Sequence, residues 1–132
     1  MLNFKPELII FDCDGVLIDS EVIANRVNVE VLAGLGIEFT LEDYMERFVG
    51  VSLRDEVVEI ENLRKIKLPD DYETRLSTHK YKIFDAELKA IEGIIEFVTS
   101  IKTPKAVASG SSPERLEYTL KLTHLGELFA PH

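Results

Sequence analysis

Two short apolar runs without alternation stand far apart in the chain, and helical patterns fill the space between them. The first run is Leu8-Ile9-Ile10-Phe11, and the second, which is apolar after its initial lysine, is Lys105-Ala106-Val107-Ala108. Runs of this kind are typical of strands that are buried on both faces, as in a parallel sheet. We therefore predict an α/β fold in which a helical segment separates two core strands.

The predicted helices have apolar positions on one stripe, and for most of them a capping or glycine residue precedes these positions. They are predicted from Ser20 to about Leu32, from Thr40 to Gly50, from Ser52 to Pro69, over residues 70–88, after Gly93, and from Ser112 to about Thr123. The predicted domains are therefore a core of residues 1–17 and 89–132 and a helical insertion of residues 18–88.

The composition is typical of a soluble globular protein and disfavours several function classes. Of the residues, 45% are hydrophobic, and 24 Asp and Glu against 15 Lys and Arg give a formal charge of −9, which argues against nucleic acid or an anionic membrane as partner. No apolar run approaches the roughly 18 residues of a membrane span. The N-terminus has no signal-peptide pattern, so we expect a cytoplasmic protein.

Two acids, Asp12 and Asp14, directly follow the first predicted strand and precede Gly15. Ligands bind at the carboxyl ends of strands in open α/β sheets. Carboxylates at that place suit Mg²⁺, which a substrate phosphate completes. One carboxylate can attack phosphorus while the second works as general acid and base. A bare Asp-x-Asp, taken alone, favours the plainer interpretation, in which two acids end a strand and begin a turn.

A loop of small residues, Ser109-Gly110-Ser111-Ser112-Pro113, follows the second predicted strand. A hydroxyl and free backbone N–H groups before a helix form a cradle for phosphate. Taken alone, the loop is also compatible with plain helix capping.

The single cysteine, Cys13, cannot form an internal disulfide, and we expect the neighbouring carboxylates to disfavour its thiolate.

The first acidic motif lies within Phe11-Asp12-Cys13-Asp14-Gly15-Val16-Leu17-Ile18-Asp19-Ser20-Glu21. These eleven residues resemble the first signature of the haloacid dehalogenase (HAD) superfamily of phosphatases. The run from Val107 to Ser111 resembles the second signature. The resemblance implies a Rossmann-like HAD core with a parallel sheet. It implies that Asp12 is the nucleophile and a Mg²⁺ ligand, and that Asp14 is the acid/base, whose backbone carbonyl also binds the metal. Ser109 and Gly110 would bind the phosphoryl oxygens. Haloacid dehalogenases proper usually lack the second Asp, so dehalogenation is disfavoured.

The helical insertion resembles the C1 cap of the phosphoglycolate phosphatase and β-phosphoglucomutase branch. The run from Phe48 to Ser52 resembles a cap loop that faces the core site, and the run from Ala90 to Gly93 resembles the hinge that returns to the core. The mutases often carry an arginine directly after the serine of this loop, where Leu53 stands here. The weaker candidate substrate residues of the cap and hinge are Gly50, Ser52, Arg54 and Glu92.

Two later signatures of the family, a lysine and an acid pair, have no counterpart in the chain. Lys121 is the only lysine after Ser109, and Asp85 is the last aspartate. The chain therefore resembles only the N-terminal half of a member, an incomplete core with an inserted cap. We expect it to be inactive or nearly so by itself, and we expect its exposed sheet edge to be a place for a homodimer partner or a complementing chain.

The function predicted from these observations is that of a Mg²⁺-dependent phosphohydrolase acting on a small phosphorylated metabolite, such as a sugar phosphate, through an aspartyl-phosphate. A β-phosphoglucomutase-like sugar phosphate mutase is the first alternative, because it would use the same two aspartates. The second alternative is a non-catalytic remnant that serves as a binding or oligomerisation module.

Overall fold

A strand, five helices, a second strand and a sixth helix follow one another along the chain in a computed structural model, which describes residues 4–129. The elements are β1 (Ile9–Phe11), α1 (Ser20–Gly34), α2 (Leu41–Phe48), α3 (Leu53–Arg64), α4 (Tyr72–Glu87), α5 (Ile94–Ser100), β2 (Lys105–Val107) and α6 (Pro113–Leu122), with a short 3₁₀ helix at Gly126–Leu128. The predicted α/β class, two short strands separated by helices, is confirmed.

The strands β1 and β2 pair in parallel and form a two-stranded sheet within the described part of the chain. Ile9 is opposite Lys105 and Phe11 is opposite Val107. A further bond from the Ala108 N–H to the Phe11 carbonyl, 2.9 Å long, extends the pairing past the last residue of each strand. Because the two strands end at the same level, the segments that follow them leave the sheet side by side.

The two faces of β1 differ sharply in burial, so the prediction of a strand buried on both faces is wrong. Successive side chains of a strand point to opposite faces. Phe11 is buried and makes edge-to-face ring contacts with Phe97 and Phe129, at centroid distances of 6.4 and 5.8 Å. Ile10 points the other way and is 61% exposed, and β2 is only half-buried. Among residues 4–129, apolar side chains therefore cover one face of β1 and leave Ile10 open to solvent.

Local capping chemistry sets the starts of three helices, as the sequence predicts. The side-chain oxygens of Thr40, Ser52 and Ser112 each accept a hydrogen bond from the backbone N–H three residues later, at the starts of α2, α3 and α6. Such caps satisfy backbone donors that have no partner inside the helix. The predicted end of the third helix is wrong, because α3 stops at Arg64, where Lys65 takes a left-handed conformation, well before Pro69.

The chain divides into two compact units. Within the described residues, one unit comprises residues 4–21 and 85–129, with the sheet, and the other comprises Val22–Phe84. The helical unit has a core of its own, formed by the buried side chains of Leu32, Ile37, Tyr44, Phe48, Ile60, Leu68, Tyr72 and Leu76. The predicted domain bounds, and the role of the helical segment as a cap, stay predictions.

No helix among residues 4–129 combines the length and the apolar character that a membrane span requires.

A carboxyl group, that of Glu56, is buried in the core of the helical unit and is only 4% exposed. The Tyr72 hydroxyl donates to its Oε1 at 3.4 Å, and the Tyr44 hydroxyl accepts from Asn28 Nδ2 at 2.5 Å. Burial raises the pKa of Glu56 above its ordinary value of 4.5, although the two tyrosine hydroxyls and Lys80 act in the opposite direction. Its burial was not predicted, because a charged residue on a helix is expected to face solvent.

We predict that Glu56→Gln makes the chain more stable to heat at about pH 8. A group whose pKa is raised by folding adds stability below its unfolded pKa and loses it as the pH rises through the folded pKa. The melting temperature of the wild type should therefore fall relative to that of the variant as the pH rises from the ordinary value of 4.5. A glutamine side chain keeps an oxygen that accepts from the Tyr72 hydroxyl.

Thermal melts of both proteins across this pH range measure the effect. Glu46→Gln on the exposed face of α2 is the matched control, and it should follow the wild type. A difference between wild type and Glu56→Gln that stays constant with pH would contradict the prediction.

Candidate active site

The two predicted catalytic acids lie in a tight turn directly after β1. The Leu17 N–H donates to the Cys13 carbonyl at 2.9 Å, and the Gly15 N–H donates to the Ile18 carbonyl at 3.0 Å. Gly15 has a φ of +74°, and a Cβ built there would lie 2.9 Å from Cδ of Glu21. Glycine is therefore the residue that suits this turn, since it has no side chain and adopts positive φ at little cost.

Asp12 presents its carboxylate to solvent at the end of β1. The residue is exposed, and its Oδ1 accepts a 2.7 Å hydrogen bond from the backbone N–H of Cys13. A bond from the next backbone amide restricts the orientation of the carboxylate without covering it. The exposed carboxylate has the accessibility that a nucleophile requires.

Asp14, in contrast, is half-buried and held by three side-chain donors. Its Oδ1 accepts from Ser20 Oγ at 2.7 Å and from Arg115 Nη2 at 3.4 Å, and its Oδ2 accepts from Ser111 Oγ at 3.1 Å. Ser20 is only 2% exposed, so the shortest of these bonds is also the best shielded from water. The two acids have different surroundings, as two carboxylates with different roles would need.

The loop after β2 brings the predicted phosphate-binding residues to the same edge of the sheet. Ser109 is half-buried, Gly110 is exposed, and the Ser111 N–H donates to Ser109 Oγ at 3.1 Å. A hydroxyl that accepts from a backbone amide keeps its own proton free to donate to an anion. Ser111 then contacts Asp14, so this loop and the turn after β1 form one hydrogen-bonded cluster.

Cys13 lies between the two acids and is 1% exposed. Burial raises the pKa of its thiol to about 11, with Asp14 as the second cause and Asp12 as a smaller one. The sequence predicts the direction of this shift from the neighbouring charges, whereas the main cause is the removal of the thiol from water.

The remaining candidates lie apart from this cluster along the chain. Glu92 is exposed immediately before α5, and Arg54 is exposed in the first turn of α3. The Ser52 hydroxyl accepts from the Asp55 N–H at 3.2 Å and donates to Asp55 Oδ2 at 2.8 Å, which is a helix-capping arrangement. Gly50 is exposed with a φ of +82°. Gly50, Ser52 and Arg54 belong to the helical unit, and the substrate role of all four residues stays a prediction.

Three residues of the cluster were not predicted as members of the site. Ser20 was predicted only as a helix start, Ser111 only as part of a loop, and Arg115 was not singled out. Ser111 and Arg115 are 97 and 101 positions from Asp14 in sequence, so only the parallel strand pairing brings them to it. The Asp-Ser spacing of the first signature was the one signal that pointed to Ser20.

The residues present fit a Mg²⁺ site of the kind that a substrate completes. Among residues 4–129, no three His, Cys, Asp or Glu side chains form a metal-binding group. Mg²⁺ is nevertheless commonly held by one or two carboxylates together with water and phosphate. Asp12 Oδ2 accepts no hydrogen bond from the cluster described above, whereas the Asp14 carboxylate is occupied by three donors. This donor set agrees with the expected use of the Asp12 carboxylate and the Asp14 backbone carbonyl.

A sequence profile of the family described as haloacid dehalogenase-like hydrolase matches residues 9–131. Among solved structures, a haloacid dehalogenase-like protein of unknown function from Agrobacterium tumefaciens superposes with a TM-score of 0.86 and 33% sequence identity. That match covers 96% of this chain and 57% of the other. The predicted resemblance to the superfamily is confirmed.

Two curated relatives are named as phosphatases. The 6-phosphogluconate phosphatase of Escherichia coli is 33% identical over 121 residues, which cover 88% of this chain and 53% of that protein. The phosphorylated carbohydrates phosphatase of Thermotoga maritima is 32% identical over 113 residues, which cover 83% of this chain and 51% of that protein. The chain thus spans about half the length of these relatives.

We predict that Cys13 resists alkylation in the folded chain. At about pH 8, raising a thiol pKa from 9 to about 11 lowers the thiolate fraction roughly a hundredfold, and burial further restricts access. Iodoacetamide labelling followed by mass spectrometry should therefore be at least a hundredfold slower in buffer than in denaturant. Comparable rates under the two conditions would show that the turn between the two aspartates opens readily.

Proposed function

Because the chain belongs to the haloacid dehalogenase-like hydrolase family, we propose that it carries the nucleophile of a phosphatase for small phosphorylated metabolites. One observation carries the proposal. Two paired strands end at the same edge of a sheet, and the candidate groups follow them there. The first strand is followed by the exposed carboxylate of Asp12 and by the carboxylate of Asp14, which three donors hold. The second strand is followed by a loop with the hydroxyl of Ser109 and the backbone amide of Gly110.

In the proposed reaction, Asp12 attacks the phosphorus of a phosphate ester. The new bond joins a carboxylate oxygen to phosphorus while the ester oxygen leaves, and Asp14 gives that oxygen a proton. Asp14 then takes a proton from water as the water oxygen attacks phosphorus, which releases phosphate and restores Asp12. Ser109 Oγ and the Gly110 N–H donate to the phosphoryl oxygens and hold them during both steps.

Magnesium is the proposed cofactor, held by Asp12 and by the backbone carbonyl of Asp14. When bound, it would neutralise negative charge on the phosphoryl group and on the nucleophile. Positioning and charge neutralisation supply most of the catalysis in phosphoryl transfer. The residues of this chain supply the positioning, whereas Asp12 and Asp14 are themselves acids and leave the neutralisation of negative charge to cationic groups.

A phosphorylated sugar or sugar acid is the proposed substrate class. The names of the two curated relatives, a 6-phosphogluconate phosphatase and a phosphorylated carbohydrates phosphatase, support this class. A sugar phosphate mutase would use the same Asp12 and Asp14 but would return the phosphoryl group to the sugar. The release of inorganic phosphate therefore distinguishes the two reactions.

A cytoplasmic location stays a prediction.

The lysine and the second acid pair that the family uses have no counterpart in these 132 residues. We therefore propose that the chain needs these groups from elsewhere, and that it releases little phosphate alone. A second copy or a complementing polypeptide that covers the exposed edge of the sheet stays a prediction. A non-catalytic binding module is the outcome that would replace both proposals.

The test is Mg²⁺-dependent phosphate release from p-nitrophenyl phosphate and from 6-phosphogluconate. We compare the chain alone with a chimera in which the part of the E. coli relative beyond the match follows the chain. We predict background activity for the chain alone and Mg²⁺-dependent release by the chimera. Asp12→Asn should reduce the activity of the chimera to background, because an amide is a far weaker nucleophile than a carboxylate.

Asp70→Asn, an exposed aspartate of the helical unit, is the matched control and should leave the activity of the chimera unchanged. Release by the Asp12→Asn chimera at the unmodified rate would overturn the assignment of the nucleophile. A folded but inactive chimera would favour the non-catalytic module. Activity of the chain alone that rises more steeply than in proportion to its concentration would indicate that a second copy supplies the missing groups.

A further inference from the structure

We infer that Arg115 is a positioning residue for Asp14, which it orients together with Ser20 and Ser111. The inference rests on the proposed function in one respect. In the proposed reaction Asp14 exchanges a proton with the leaving group, and this exchange requires a fixed orientation of its carboxylate. The contact itself is a property of the folded chain and is independent of turnover.

The three donors to Asp14 come from three separate segments of the chain. Ser20 is the first residue of α1, Ser111 lies in the loop after β2, and Arg115 is in the first turn of α6. Ser20 and Arg115 share Oδ1, at 2.7 and 3.4 Å, and Ser111 donates to Oδ2 at 3.1 Å. Donors to both oxygens define the plane of a carboxylate, whereas donors to one oxygen leave it free to turn.

Arg115 differs from the two serines in charge and in rigidity. A hydroxyl rotates to follow its acceptor, whereas a guanidinium is planar and always charged. The side chains of Arg115 and Asp14 are 30% and 31% exposed, so water screens this pair less than a pair at the surface. Arg115 is therefore the one positively charged donor among the three, and its 3.4 Å contact depends on the placement of α6.

The location of Arg115 is unfavourable for the helix that carries it. Positive charge is disfavoured near the N-terminus of a helix, where the backbone dipole is itself positive. Ser112 and Pro113 already provide the cap and the first residue of α6. Helix formation thus gives no reason for an arginine at this position, whereas the contact with Asp14 does.

The same residues connect the predicted phosphate loop to the predicted acid/base. The backbone N–H of Arg115 donates to the capping Ser112 Oγ at 3.3 Å, and the Ser111 N–H donates to Ser109 Oγ at 3.1 Å. These bonds order the loop and the first turn of α6, and both segments contact Asp14, through Ser111 and Arg115. In this arrangement the orientation of Asp14 is set relative to the place where the phosphoryl group would bind.

The experiment compares crystal structures of the wild-type chain, Arg115→Gln and Arg115→Lys under the same conditions. Arg75→Gln is the matched control, because Arg75 forms a 2.9 Å pair with Asp71 that is exposed and lies in the helical unit. We expect the Asp14 carboxylate to leave Ser111 Oγ or to split between two rotamers in Arg115→Gln. A single rotamer should return in Arg115→Lys and persist in Arg75→Gln. An unchanged Asp14 with both serine bonds in Arg115→Gln would overturn the inference.

A reciprocal measurement keeps the inference testable if Arg115→Gln does not fold. In ¹⁵N NMR spectra of the folded chain, Asp14→Asn should shift the Arg115 side-chain signal and leave that of Arg75 in place. Equal, negligible shifts at both arginines would also overturn the inference. Neither readout depends on activity, so a failure of the proposed phosphatase reaction and a failure of the Arg115 contact give separate results.

Discussion

The parallel pairing of β1 with β2 is the constraint on which the site depends. Three residues in each strand and the extra bond from Ala108 to Phe11 bring together segments that are about a hundred positions apart in sequence. Parallel pairing makes both strands run in the same direction, so both loops emerge at one edge. An antiparallel pair would have placed the loop of Ser109 at the opposite end of β1 from Asp12. The ring contacts of Phe11 with Phe97 and Phe129 hold this small sheet in place.

The chemistry of the cluster follows from the different environments of two adjacent acids. Asp12 has one backbone donor and an open side, whereas Asp14 has three side-chain donors and is half shielded. Sequence spacing alone makes the two residues look equivalent. They differ because the chain turns at Gly15, directly after Asp14, and because Ser111 and Arg115 donate hydrogen bonds to Asp14. This difference allows one group to act as nucleophile while the other donates and accepts a proton.

Features set by neighbours in sequence could be predicted, and features set by neighbours in space could not. The caps at Thr40, Ser52 and Ser112 are local, and the structure has them as predicted. The exposure of Ile10 depends on what packs over the sheet, which an apolar run does not encode. Glu56 and Arg115 were missed for the same reason, since a charged residue on a helix predicts a solvent-facing position unless its tertiary partners are known.

The open face of β1 has a consequence for the behaviour of the protein in solution. Ile10 is 61% exposed, so β1 offers an apolar side chain to solvent beside the backbone of a short strand. Such surfaces promote association between molecules, and mutual charge repulsion opposes it. With a formal charge of −9 at neutral pH and a pI near 4.8, the chain loses this repulsion on mild acidification. We therefore expect salt and acid, which weaken this repulsion, to promote self-association of the chain.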